Sequence, residues 1–229
     1  MLNQVLKLSP ELSFDVFFLL VILVAMEAVL SADNAIALAS ISKSLEDRKL
    51  QSKALNIGLI LAFVLRVVLI LTATWVIQYW QFQLLGSLYL LWLVFRYFAS
   101  AEGEDGEPQG PRYTSLWQVI PLIAMTDLAF SLDSVTAAIA VSEETWLVVT
   151  GATLGIVALR FMADLFIRWL QEYTHLETAG YVTVGLVGVR LLLKVFGPEF
   201  VPPEWLLIGL TLGLFVWGFS ERSPASESD

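Results

Sequence analysis

Glu27-Ala28-Val29-Leu30-Ser31-Ala32-Asp33-Asn34 sits in the middle of an apolar run from 14 to 41. Two carboxylates, a hydroxyl and an amide stand where a membrane-crossing segment ordinarily carries none. The device returns 100 positions later as Asp127-Leu128-Ala129-Phe130-Ser131-Leu132-Asp133-Ser134. We read the two stretches as the two halves of one site for a hard cation.

The surrounding chain supports a membrane setting. Of its 229 residues 57% are apolar and 15% are charged, against about 25% charged in a soluble domain. A crossing needs about 20 apolar residues. Seven apolar runs read as crossings: 14–41, 54–79, 83–100, 115–141, 146–170, 178–196 and 204–219. An acidic linker rich in Gly and Pro, 101–114, separates the third from the fourth. Gly197-Pro198 and Pro202-Pro203 break the chain before the seventh. The expected fold is all-α: a polytopic membrane protein whose residues 1–229 form a single membrane domain in the lipid bilayer. The first run is too long for the core of a signal peptide, and no small-residue cleavage site ends it, so no cleaved leader is expected.

Composition also excludes chemistry. The chain has no cysteine, so disulfides and thiolate metal centres are out. Its one histidine, His175, lies between two apolar runs. A bound metal must therefore accept oxygen ligands, which suits Mg²⁺, Ca²⁺ or Mn²⁺. A net charge of −9 gives no support for nucleic-acid binding. No His–carboxylate, Ser–His or Cys pairing falls within a run, so neither an enzyme nor a prosthetic group is expected.

The first three runs resemble runs four to six. Glu27, Ser31 and Asp33 map onto Asp127, Ser131 and Asp133 at an offset of 100, while Arg66, Gly86 and Arg96 map onto Arg160, Gly180 and Arg190 at an offset of 94. The six-residue change falls in the loop after the first run, where deletions are tolerated. A three-span unit is odd, so the second copy enters the membrane upside down, as in many transporters. Repeat one then covers 14–100, repeat two 115–196, and the run 204–219 is an extra helix. Gly151 with Gly155, and Gly209 with Gly213, have the four-residue spacing of close helix packing.

Orientation follows from Lys and Arg near the span ends. Lys43, Arg48, Lys49 and Lys53 place the first loop in the cytoplasm. With seven spans the amino terminus is outside and the carboxyl terminus cytoplasmic. Arg112, Arg168 and Arg222 then lie inside, and Lys7, Lys194 and the pair Glu143-Glu144 outside.

Five acids fall within the runs: Glu27, Asp33, Asp127, Asp133 and Asp164. A central charge costs about 2.5–3.5 kcal/mol on insertion scales, so five unpaired carboxylates would cost on the order of 12–17 kcal/mol. That equals a domain's whole stability. The acids must be protonated, paired with arginine, bound to a cation or wetted. Asp164 follows Arg160 by one helical turn, which predicts a local ion pair. Arg66, Arg160 and Arg190 are the charge-balancing candidates. The candidate metal ligands are Glu27, Ser31, Asp33, Asn34, Asp127, Ser131, Asp133 and Ser134. Glu27, Ser31 and Asn34 share one helical face, as do Asp127, Ser131 and Ser134. Asp33 and Asp133 lie about 120° round the helix from Glu27 and Asp127. Either the first span unwinds near Ser31–Asn34, the reading preferred here, or two acids form the site and the others bond arginines. Two carboxylates from each repeat plus hydroxyl and amide oxygens offer the six donors an octahedral Mn²⁺ or Mg²⁺ wants. The surplus negative charge suggests exchange of protons for metal.

At these residues the chain resembles the TerC family of integral membrane proteins. The resemblance lies in Glu27 to Ala35 and in Thr126-Asp127-Leu128-Ala129-Phe130-Ser131-Leu132-Asp133-Ser134-Val135, and the span pattern fits over about 14–220. The family takes its name from tellurium resistance and looks like part of the LysE-type exporter superfamily. The resemblance implies metal homeostasis, chiefly Mn²⁺ export, with Glu27, Asp33, Asn34, Asp127, Asp133 and Ser134 on the ion path. It implies a plasma membrane location, or the thylakoid membrane in a photosynthetic cell. Plant relatives are associated with membrane-protein assembly. The alternative is therefore an assembly factor or scaffold, homo-oligomeric or bound to a membrane-protein partner, that docks through the acidic loop 102–107.

Overall fold

The computed structural model describes residues 17–25, 32–45, 47–100, 113, 115–141 and 144–222, with the backbone alone at 32, 33, 198 and 204. The described chain is helical: α1 (17–25), α2 (Ala32–Lys43), α3 (Arg48–Val76), α4 (Trp80–Ser100), α5 (Leu116–Val141), α6 (Thr145–Glu172), α7 (Leu176–Phe196) and α8 (Glu204–Gly218). A 3₁₀ turn, Pro198–Phe200, precedes α8. Among the described residues the only strand-like pairing is one isolated bridge between Tyr173 and Arg222.

Five helices, α3 to α7, are long and apolar enough to cross a membrane. The 15 residues of α8 rise about 22 Å at 1.5 Å per residue, short of a hydrocarbon core of about 30 Å. The first apolar run is represented by α1 and α2. Glu27 and Ser31 lie outside the described residues, as do the Asp33 side chain and the acidic loop 102–107.

Local chemistry moves the helix ends away from the apolar runs. α3 begins six residues before its run because Asp47 caps it: the carboxylate accepts from the Lys49 amide at 2.8 Å and the carbonyl from the Gln51 amide at 2.9 Å. α7 stops at Gly197, whose φ of 154° suits a residue without a side chain. α5 carries Pro121 near its start and runs on through the second polar motif.

α2 is buried on every side from Asn34 to Ser42, so the other helices wrap around it. α3 packs most extensively on α5, and α4 on α7. α2 packs on α6, α5 and α7; α3 also meets α6; α4 also meets α5; α8 lies on α7. Tyr97 of α4 stacks on Tyr181 of α7 with centroids 3.9 Å apart and planes inclined by 13°.

Glycines set the closest approaches. A Cβ on Gly58 would come 2.6 Å from Ile123, and one on Gly151 would come 3.1 Å from Leu23. A Cβ on Gly86 would come 2.6 Å from Leu132, and one on Gly180 would overlap Ile36. Gly209 and Gly213 behave otherwise: among the described residues nothing lies within 4 Å of a Cβ built there. The packing role read for that pair is not realised among the described residues, because α8 turns both away from α7.

Three connections and the segment after α8 meet at one end of the bundle. Lys43 pairs with Glu177 at 3.0 Å, and Arg48 donates to Gln171 at 2.7 Å. The Tyr113 amide donates to the Ser44 carbonyl at 3.4 Å, and the Thr174 amide to the Glu221 carbonyl at 3.2 Å.

Candidate cation site

The second polar motif is built on α5. Asp127 is fully buried. Its Oδ1 accepts from Nη2 of Arg66 on α3 at 2.8 Å, and Arg66 is itself only 1% exposed. Ser131, one turn on, donates to the Asp127 carbonyl at 2.7 Å and lies 3.3 Å from Oδ2. Thr126 is tied to the Tyr89 hydroxyl of α4 at 2.9 Å. This fixes α5 against α4 beside the acid.

Six residues along α5, Asp133 turns to a different neighbour. Its Oδ2 accepts from Nη1 of Arg190 on α7 at 2.7 Å, and its Oδ1 is paired with the Lys194 ammonium. Arg190 and Lys194 are one turn apart on α7 and close on the carboxylate together. Among the described residues Asp127 is met by one cation and Asp133 by two.

These placements bear on the choice between unwinding and divergence. α5 is continuous through Ser131–Ser134, so the second motif does not unwind. Its two acids instead serve helices on different sides, as about 120° of separation dictates. In the first motif Asp33 and Asn34 already belong to the helix α2, and Asn34 is buried. Any break lies before Ala32, outside the described residues. Ser134 is buried beside Asp133 in sequence.

The third arginine goes elsewhere. Arg160 forms an ion pair with Asp164 on its own helix, donates from Nε to Asn56 at 2.6 Å and lies within 3.2 Å of the Ser52 hydroxyl. Asp164 is half exposed, so this pair stands apart from the buried acids. Arg96 meets no acid among the described residues; its guanidinium sits over the rings of Trp92 and Tyr113 at 5.4 and 4.9 Å.

Sequence reasoning missed Lys194 as a partner of Asp133 and read it as an end charge. Its spacing from Arg190 was the available signal: four residues apart, the two cations share one face of the same helix.

Beside Arg66 lies a cavity of about 10 Å³, lined also by Leu23, Ile70, Val135, Val148 and Ala152. It has room for about one water. Its apolar walls keep the local dielectric low and strengthen the Arg66–Asp127 attraction. Among the described residues no three acids or histidines converge on one point. The donors that are brought into the interior are carboxylate, hydroxyl and amide oxygens, the set a hard cation prefers.

The comparisons fit this arrangement. The model of the integral membrane protein TerC family matches residues 13–224. The uncharacterized membrane protein YceF of Bacillus subtilis (strain 168) is 35% identical over 185 residues, covering 77% of this chain and 71% of its own. YkoY of the same organism, another uncharacterized membrane protein, is 31% identical over 239 residues, covering 94% and 72%. The thylakoid membrane protein TERC of Arabidopsis thaliana is 27% identical over 202 residues, covering 75% of this chain and 53% of the plant protein. No solved structure matches. With both acidic motifs inside the matched region and an all-helical apolar bundle around them, the chain belongs to the TerC family of integral membrane proteins.

Proposed function

We propose that this protein is a secondary transporter that exports a divalent cation, foremost Mn²⁺, in exchange for protons, along a path lined by the acids of the first and fourth spans. The observation that carries the reading is Asp127. It is a fully buried carboxylate in the middle of a membrane-length helix, and its own helix offers a hydroxyl beside it. Such a group is costly in a membrane and marks ion pathways. Arg66 balances it, and an arriving cation would take over that task. Glu27, Asp33 and Asn34 complete the donor set from the first span.

Two inverted three-helix units, with α8 as a seventh crossing, are part of this reading. Exchanging the first span with α5, α3 with α6 and α4 with α7 carries the packing pattern onto itself. The α3–α5 contact becomes α6 with the first span, α4–α5 becomes α7–α2, and α3–α6 and α4–α7 map onto themselves. Helix for helix, the close approach of Gly58 to Ile123 recurs in that of Gly151 to Leu23, and the approach of Gly86 to Leu132 in that of Gly180 to Ile36, each with one partner displaced from the repeat offset. Three connections and the segment after α8 meet at one end, two helices apart in each case, which supports reading α8 as a returning crossing. That end carries Lys43, Arg48, Lys49 and Arg222, which favours the cytoplasm.

The test is cellular manganese content, read by elemental mass spectrometry after a Mn²⁺ challenge. Cells making the protein are expected to hold less Mn²⁺ than cells making Asp127→Asn at equal abundance. Equal contents would refute the reading.

A further inference from the structure

The apolar core of the described residues is divided in two. The larger cluster reaches the basic end of the bundle at Leu45, Tyr113, Leu170 and Leu176. The smaller one, Leu69, Ile70, Ala73, Val135, Val148 and Ala152, ties together the opposite ends of α3, α5 and α6. The cavity of about 10 Å³ lies where this smaller cluster meets the buried charges. Arg66 forms one wall, and Ile70, Val135, Val148 and Ala152 of the cluster form others. At 1.5 Å per residue, Val135 lies about 12 Å beyond Asp127 and Ile70 about 6 Å beyond Arg66, both away from the basic end. α5 and α6 are consecutive, yet they pack on each other only lightly. Ala138 and Ala152, which line the cavity from these two helices, put little bulk between them. Among the described residues Arg66 is the one charged group on the cavity wall. An apolar constriction of this kind stops ions by excluding water.

We propose that the outward leg of the cation's path leaves Asp127 through this cavity and passes between α5 and α6, with Val135 and Val148 as its apolar gate. The inference rests on the transport reading. It adds the side on which the cation leaves and the residues that hold it back. Closed, the two valines keep the passage dry, so neither proton nor cation slips past the buried pair. Separation of the two lightly packed helices admits water, and the cation leaves with part of its hydration shell. Arg66 lines the cavity and Asp127 does not. A cation entering from outside therefore meets the guanidinium first, which disfavours return.

The chain has no cysteine, so single thiols report where water reaches. The probe is a positively charged, membrane-impermeant methanethiosulfonate added outside cells making the full-length protein, with labelling read by mass spectrometry. Ala152→Cys should be labelled, and about tenfold faster when Val148→Thr, a near-isosteric change, wets the gate. Leu154→Cys, on the exposed side of α6, and Ala124→Cys, on the basic side of Asp127, should stay unlabelled. A silent Ala152→Cys, or one that Val148→Thr does not speed, overturns the proposal. So does labelling of either control at the rate of Ala152→Cys. In liposomes Ala152→Leu, which fills the cavity, should lower Mn²⁺ flux about tenfold while Mn²⁺ binding stays at the wild-type level. Flux equal to the wild type would overturn the route. Wild-type flux together with a silent Ala152→Cys removes this route alone. A wild type that moves no Mn²⁺ sinks the transport reading and the route with it.

Discussion

The guanidinium of Arg66 lies 2.8 Å from the carboxylate of Asp127, and neither side chain is more than 1% exposed. Breaking such a pair from one side leaves an uncompensated buried charge, which costs about 3–5 kcal/mol. Arg66→Met is expected to lower the unfolding temperature of the purified protein by the largest margin of any single change at the site. Adding Asp127→Asn to Arg66→Met removes the orphaned charge and should recover most of the loss. Thermal unfolding followed by tryptophan fluorescence checks both, and a double variant no more stable than Arg66→Met would count against the pairing.

Gly180 is a steric requirement of the α2–α7 contact, since a Cβ there would overlap Ile36. Overpacking a tight contact costs about 1–3 kcal/mol. Gly180→Ala should lose that much stability, and Ile36→Ala in the same chain should restore part of it by clearing the space. At Gly209 and Gly213, where none of the described residues is within 4 Å of a Cβ, alanine should leave the isolated protein's stability unchanged.

Asp164 offers the contrast to the buried acids. Its pair with Arg160 is local and half exposed, and exposed pairs contribute about 0.2–1 kcal/mol. Asp164→Asn is expected to cost less than about 1 kcal/mol in unfolding measurements. It should also leave manganese tolerance in cells at the wild-type level. A loss of tolerance equal to that of Asp133→Asn would place Asp164 on the ion path.

Topology is open to direct labelling because the chain has no cysteine. Single cysteines replacing Lys49 and Glu221 should be shielded from a membrane-impermeant maleimide added to intact cells, since both positions lie at the basic end of the bundle. A cysteine replacing Glu199, in the turn beyond α7, should be labelled. Labelling of all three from outside would contradict the seven-span orientation.

Much of the fold was legible because hydropathy acts on whole segments. The runs 115–141 and 178–196 fall within two residues of α5 and α7. The start of α3 was not legible in hydropathy, because a cap at Asp47 extends the helix through Arg48, Lys49 and Lys53. The spacing of Arg160 and Asp164 showed their pairing, since an i, i+4 relation is written in the chain itself. The partners of Asp127 and Asp133 were not legible. Arg66 is 61 residues from Asp127, and Lys194 is 61 from Asp133. Only the packing of α3 against α5, and the reach of the long α7 side chains to Asp133, decide which cation meets which acid. The helical wheel showed that the two acids of one motif diverge; it could not show what each would face.

The central claim is that the buried acids of α5 carry a divalent cation through the protein. It is tested most directly in liposomes holding the purified protein, with Mn²⁺ on one side and an entrapped manganese indicator on the other. The account predicts Mn²⁺ flux that grows with an opposing proton gradient and falls at least tenfold in Asp127→Asn and in Asp133→Asn, with Asp164→Asn like the wild type. Flux that is absent in the wild type, or that persists unchanged in both α5 variants, would contradict it.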